Sequence, residues 1–120
     1  MSENFQSKPA TATKAYADSY ALCLVIFQRS KVIPKAQRPT LGRGLEESVL
    51  NLLFAIQRAG FARDSQIKKE ILKSASDALD RLRTLSQICK DLSFFSDTAF
   101  FEVSEKSALV GKQLGGWLKN

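Results

Sequence analysis

The sequence predicts an all-α protein, an antiparallel up-down-up-down four-helix bundle that assembles as a homo-oligomer. Three observations carry this expectation. Apolar residues recur at steps of three and four through four segments, as they do on one face of a helix. Those segments are separated by short breaks at Pro34 and Pro39, at Gly60, and at Ser96. No stretch reads as a strand, and short connections force consecutive helices to run antiparallel. At 120 residues and 44% apolar composition, the chain is one domain with room for a real core.

The first helix is expected over residues 14–32, with Tyr16, Tyr20, Cys23 and Phe27 at heptad-like spacing, stopping before Pro34. Residues 33–39 read as a loop. The second helix begins near Thr40, carries Leu45, Val49, Leu52, Ile56 and Ala59, and ends at Gly60 as a left-handed terminator. The segment Gly42, Arg43, Gly44 lacks the rest of a nucleotide-binding fingerprint and reads as the flexible start of that helix. Asp64 or Ser65 caps the third helix, whose stripe is Ile71, Ala75, Ala78, Leu82, Leu85, Cys89 and Leu92. The fourth begins after Ser96, with Phe95 and Phe100 at the two positions of a hydrophobic staple. Its stripe is Phe100, Val103, Ser107, Val110, Leu114 and Trp117.

The closing run VGKQLGGWL, at 110–118, places glycines inside that last helix. A helical glycine costs about 1 kcal/mol relative to alanine, so Gly111 and Gly115, one turn apart, predict a groove into which a neighbouring helix presses. The second helix carries Leu50, Leu53, Phe54 and Phe61 beyond its stripe, and the first is apolar almost all round over 20–27. Surplus apolar faces mark an interface, so Leu50, Phe54, Phe61, Gly111, Gly115 and Trp117 are the expected packing and oligomer positions. Residues 1–13, polar with Pro9 and small side chains, read as a flexible tail ahead of a bundle over 14–120. With no secretory apolar centre and no run of eighteen apolar residues, the protein is expected in the cytoplasm. Cys23 and Cys89 lie on apolar faces of different helices and read as buried, reduced thiols.

Catalysis finds little support. The chain has no histidine, which removes the usual general base, the commonest transition-metal ligand and the Glu-x-x-His pairs of di-iron bundles. No catalytic residue, metal site or cofactor is therefore expected. The charge is more informative. The formal net charge is +6. Residues 1–63 hold nine Lys and Arg against four Asp and Glu, whereas residues 64–120 hold nine against eight. Within the first half, Arg29, Lys31, Lys35, Arg38 and Arg43 follow one another with no acid between Asp18 and Glu46. A second group, Arg58, Arg63, Lys68, Lys69 and Lys73, surrounds the next turn and is diluted by Asp64 and Glu70. Clustered cations neutralise phosphates without sequence-specific contacts, so Arg29, Lys31, Lys35, Arg38, Arg43, Arg58 and Arg63 are the candidate nucleic-acid contacts. The competing reading is a solvated surface on a structural or protein-interaction assembly. Asp77 with Arg81 and Asp80 with Arg83 are expected to form surface ion pairs along the third helix. Glu46, Glu47, Glu102 and Glu105 suit the positive ends of their helices, and Lys119 the negative end of the last.

The stretch LGRGLEESVLNLLFAIQRAG at 41–60, the long third helix and the closing VGKQLGGWL resemble the bacterial four-helix-bundle proteins encoded by intervening sequences of large-subunit ribosomal RNA genes. That family includes the accessory variability determinant proteins of diversity-generating retroelements, and the carboxy-terminal segment is more similar to this branch. The likeness covers residues 17–118. It implies a homo-oligomeric, pentameric bundle whose basic surface engages nucleic acid, with a reverse transcriptase as partner.

Overall fold

The computed structural model describes residues 10–119, and every regular element among them is helical. There are four long helices: α1 (Ala10–Arg29), α2 (Arg43–Phe61), α3 (Ser65–Asp91) and α4 (Asp97–Lys119). α1 packs against α2 and α4, and α3 packs against the same two, so each helix has two principal neighbours around one core. At 1.5 Å per residue α3 is about 40 Å long, close to the 44 Å long dimension of the molecule, so the helices lie lengthwise. Among the described residues no helix is long and apolar enough to cross a membrane.

The stripes of α2 and α4 bury as their spacing requires. Leu45, Val49, Leu52, Ile56 and Ala59 line the core from α2, and Val103, Ser107, Val110, Leu114 and Trp117 from α4, with Phe100 partly buried. On the other two helices the expectation holds in part: Cys23 on α1 and Ala75, Leu82 and Cys89 on α3 are buried as their spacing requires, while most of the remaining core positions lie one residue from those expected. On α1 the buried residues are Ala12, Ala15, Ser19, Leu22, Cys23, Val25 and Ile26, while Tyr20 and Phe27 stay 48% and 37% exposed. Small residues at these steps let α1 come close to its neighbours; aromatic rings there would hold it away. On α3 the core takes Leu72, Ala75, Leu79, Leu82, Ser86 and Cys89. Ile71, Ala78 and Leu85 flank it, and Leu92 is exposed. Both cysteines are buried and free.

The ends of the elements depart from expectation in instructive ways. α1 already includes residues 10–13, with Ala12 buried, so that part of the expected tail is helical. Residues 1–9 and Asn120 lie outside the described residues. No described glycine adopts positive φ, so Gly60 is not a left-handed terminator; α2 continues through Phe61 and stops where Ala62 turns extended. The left-handed residue is instead Ser93, at φ 65°. There the Phe94 N–H donates to the Cys89 carbonyl and the Ser93 N–H to that of Lys90, closing α3 with the paired bonds of a Schellman motif. The helix starts follow the capping chemistry. Asp64 accepts from the N–H groups of Gln66 and Ile67, and Ser96 Oγ from that of Ala99.

The two glycine-containing contacts that bring helices together are Gly44 and Gly111. A Cβ on Gly44 would lie 3.0 Å from Leu85, and one on Gly111 would lie 2.7 Å from the Arg83 guanidinium and 3.5 Å from Leu79. Gly44 is thus a close helix–helix approach rather than a flexible joint. Gly115 faces open space, with nothing within 4 Å of a Cβ, so the expected two-glycine groove is filled within the chain only at Gly111.

Candidate nucleic-acid interface

The connection from α1 to α2 is built rather than loose. A tight turn over Ser30–Val32 follows α1, Pro34 sets an extended step, and a second tight turn covers Lys35–Gln37. A wide turn over Arg38–Gly42 then runs directly into α2, the Arg43 N–H reaching back to the Arg38 carbonyl. Ile33 anchors the segment, fully buried in the core. Arg38 ties it together: Nε donates to the Ile33 carbonyl at 3.0 Å and Nη2 to that of Lys31 at 3.1 Å. Nη1 makes no such bond among the described residues, so the guanidinium is held there with a donor group to spare.

Here two cations of the basic run meet acids, one remote in sequence and one a helical turn away. Arg29 Nε lies 2.8 Å from Glu102 Oε1 on α4, with both side chains about two-thirds buried. Arg43 pairs with Glu47 at 3.0 Å on an exposed surface. Ser30 Oγ donates to Glu46 Oε2 at 2.7 Å, which holds a third carboxylate beside the cluster. Lys31, Arg38, Arg43 and Glu46 line an open cleft of about 620 Å³. The expected surface free of acids is therefore mixed. Lys31 and Lys35 are exposed and in no ion pair among the described residues; Arg38 is fixed, Arg43 loosely engaged, and Arg29 committed to α4.

Arg58 and Arg63 belong elsewhere. Arg58 is fifteen residues beyond Arg43 on α2, about 22 Å along the axis, and Arg63 follows the end of that helix. Both are exposed, and neither is in an ion pair among the described residues. The seven candidate contacts thus form two groups at opposite ends of α2. Beside Arg58 a groove of about 380 Å³ opens between α2 and α3, and its lining includes Phe54, Asp77 and Arg81. The expected Asp77–Arg81 pair is not formed, while Asp80–Arg83 closes only to 3.9 Å. Arg83 instead reaches α4, donating to the Ser107 carbonyl at 3.2 Å across Gly111.

The packing positions divide as well. Leu50 is partly buried against the core and Trp117 is buried; Phe54 and Phe61 are about half exposed. On α1, Tyr20, Leu24 and Phe27 make an exposed apolar stripe at steps of four and three, and Tyr16 stacks on Tyr20 at 6.2 Å. Sequence reading missed Glu102, Glu46 and Ser30 as parts of the first site. Glu46 was legible as a carboxylate at a helix start, but nothing local connects Arg29 to a residue 73 positions away. Among the described residues no group of three His, Cys, Asp or Glu is placed to hold a metal ion. Burial pushes the thiols of Cys23 and Cys89 up from their ordinary range. Comparison with known proteins finds no matching family model and no matching curated protein.

Proposed function

We propose that this protein is a non-catalytic, homo-oligomeric nucleic-acid-binding or accessory protein of the cytoplasm, built on an antiparallel up-down-up-down bundle. The helix directions are supported by contacts whose numbers run oppositely: Asp18 bonds Gln113 while Arg29 bonds Glu102, and Arg83 meets Ser107 while Lys90 meets Asp97. The observation that carries the nucleic-acid reading is the first connection. It holds one guanidinium in place on two carbonyls, with Lys31, Lys35 and Arg43 around it, in a chain of net charge +6. Such a surface binds phosphate backbones with little regard to sequence and weakens steeply as salt rises. The exposed stripe of Tyr20, Leu24 and Phe27 supports assembly, and repetition of the patch in an oligomer would make weak contacts multivalent. Five subunits and a reverse-transcriptase partner rest on the family resemblance alone.

Fluorescence anisotropy with duplex DNA and RNA at about 50 mM salt and above tests binding. Lys31→Gln with Lys35→Gln should lower affinity and reduce the salt slope by about two, without altering the mass in light scattering. The second reading, a structural assembly with no nucleic-acid role, is favoured by the α1 stripe. A multiple of the 13.3 kDa chain mass with no binding at low salt would select it.

A further inference from the structure

The groove between α2 and α3 is not accounted for by packing. On α2 it is edged by Ser48, Asn51 and Arg58, which share one side of the helix, with Phe54 at its rim; across it stand Asp77 and Arg81 of α3. Ser48 is 1% exposed, yet its Oγ has no hydrogen-bond partner. The Ser86 and Ser107 hydroxyls share that condition, so it is the lining of the groove that sets Ser48 apart. Phe54 is 50% exposed, and the guanidinium groups of Arg58 and Arg81, supplied by different helices, are in no ion pair among the described residues. From Ser48 to Arg58 the groove runs about 15 Å.

An aromatic face, two guanidinium groups and neutral hydrogen-bonding groups fit a planar heterocycle that carries anionic groups. In a duplex the faces of the bases are covered by their neighbours, so a ring such as Phe54 can stack only on a base of an unpaired strand. We infer that this groove is a subsite for single-stranded nucleic acid. Phe54 stacks on a base, Arg58 and Arg81 take the flanking phosphates, and Asn51 bonds the base edge. The Asp77 carboxylate keeps phosphate out of the middle of the groove and directs the backbone to the two arginines. The inference rests on the nucleic-acid reading above, but on a face remote from the first connection.

The test uses the full-length protein, a short unstructured oligonucleotide and the same sequence as a duplex. Phe54→Ala should lower single-strand affinity about tenfold or more, leave its salt slope unchanged and leave duplex affinity alone. Arg58→Gln with Arg81→Gln should lower both the single-strand affinity and the slope, by about one to two. Phe54→Trp should keep single-strand binding and have its emission quenched by the strand, Trp117 being buried and out of contact. Unchanged single-strand affinity in Phe54→Ala, or unquenched emission in Phe54→Trp, overturns the inference. A changed oligomer mass in Phe54→Ala also overturns it, by placing the ring between copies of the chain; equal quenching by an acidic peptide does so by reducing the site to charge. Duplex binding that depends on Lys31 and Lys35, with no role for Phe54, leaves the earlier reading standing while this one falls. Phe54-dependent single-strand binding that survives the two lysine substitutions does the reverse.

Discussion

The two basic regions flanking α2 differ in what holds their cations. Before α2, Arg38 is positioned by two carbonyls, Arg29 is paired with Glu102, and Ile33 pins the segment into the core. After it, three residues connect to α3, Asp64 is occupied with capping, and Arg58 and Arg63 are exposed without ion pairs among the described residues. The denser cluster in sequence is therefore the one whose cations are partly committed, with Lys31 and Lys35 left outside any ion pair among the described residues. What counts for binding is the number of cations left after tertiary partners are satisfied, and the geometry in which they are left.

The largest way to break this contrast is Ile33→Ala, which should destabilise the protein by about 2–5 kcal/mol through the cavity it leaves. Urea melts check it; a loss under about 1 kcal/mol would mean the first connection is as loosely held as the second. Arg38→Gln comes next, with about 1–2 kcal/mol lost from two carbonyl bonds, whereas Arg58→Gln should stay within about 0.5 kcal/mol. Equal effects would erase the distinction between a cation that builds and one that waits. Ser93→Gly should gain roughly 1 kcal/mol in thermal melts by relieving a left-handed serine. Gly115→Ala should gain up to about 1 kcal/mol, because its surroundings are open; a loss, or a changed mass, would put a second copy against α4. Least visible is the chemistry of the thiols. Their raised pKa keeps them protonated, so neither Cys23 nor Cys89 should react with iodoacetamide at neutral pH until denaturant is added. Their favourable contribution is intact below the ordinary thiol value of about 8.5 and fades as pH rises above it.

The core stripe of α4 was legible because Val103, Val110, Leu114 and Trp117 are large, regularly spaced and buried, although Phe101 and Leu109 of the same helix stay exposed. α1 was legible only in its second half, where Leu22, Cys23, Val25 and Ile26 are buried: the core positions of its first half are Ala12, Ala15 and Ser19, which carry little hydrophobic signal, while Tyr20 and Phe27 carry much and are exposed. Capping at Asp64 and Ser96 is local chemistry and could be read directly. The terminator at Ser93 could not, since a serine has no preference for left-handed backbone and only the surrounding bonds impose it. At the candidate sites, residue type and spacing along one helix were readable, as with Phe54 and Arg58. The arrival of Arg81 beside them, and of Glu102 beside Arg29, depends on how helices pack.

The bonds of Asp18 to Gln113 and Arg29 to Glu102 join residues 95 and 73 positions apart. Contacts of such separation form late, because most of the intervening chain must be ordered before they are rewarded. The α1–α4 seam is therefore where the ring of helices closes, after the contacts between helices adjacent in sequence have formed. In vectorial synthesis α1 leaves the ribosome before α4, so its small-residue face is covered on one side only until α4 has emerged. The same seam is the natural place for the finished fold to open, and amide exchange along α1 should report it.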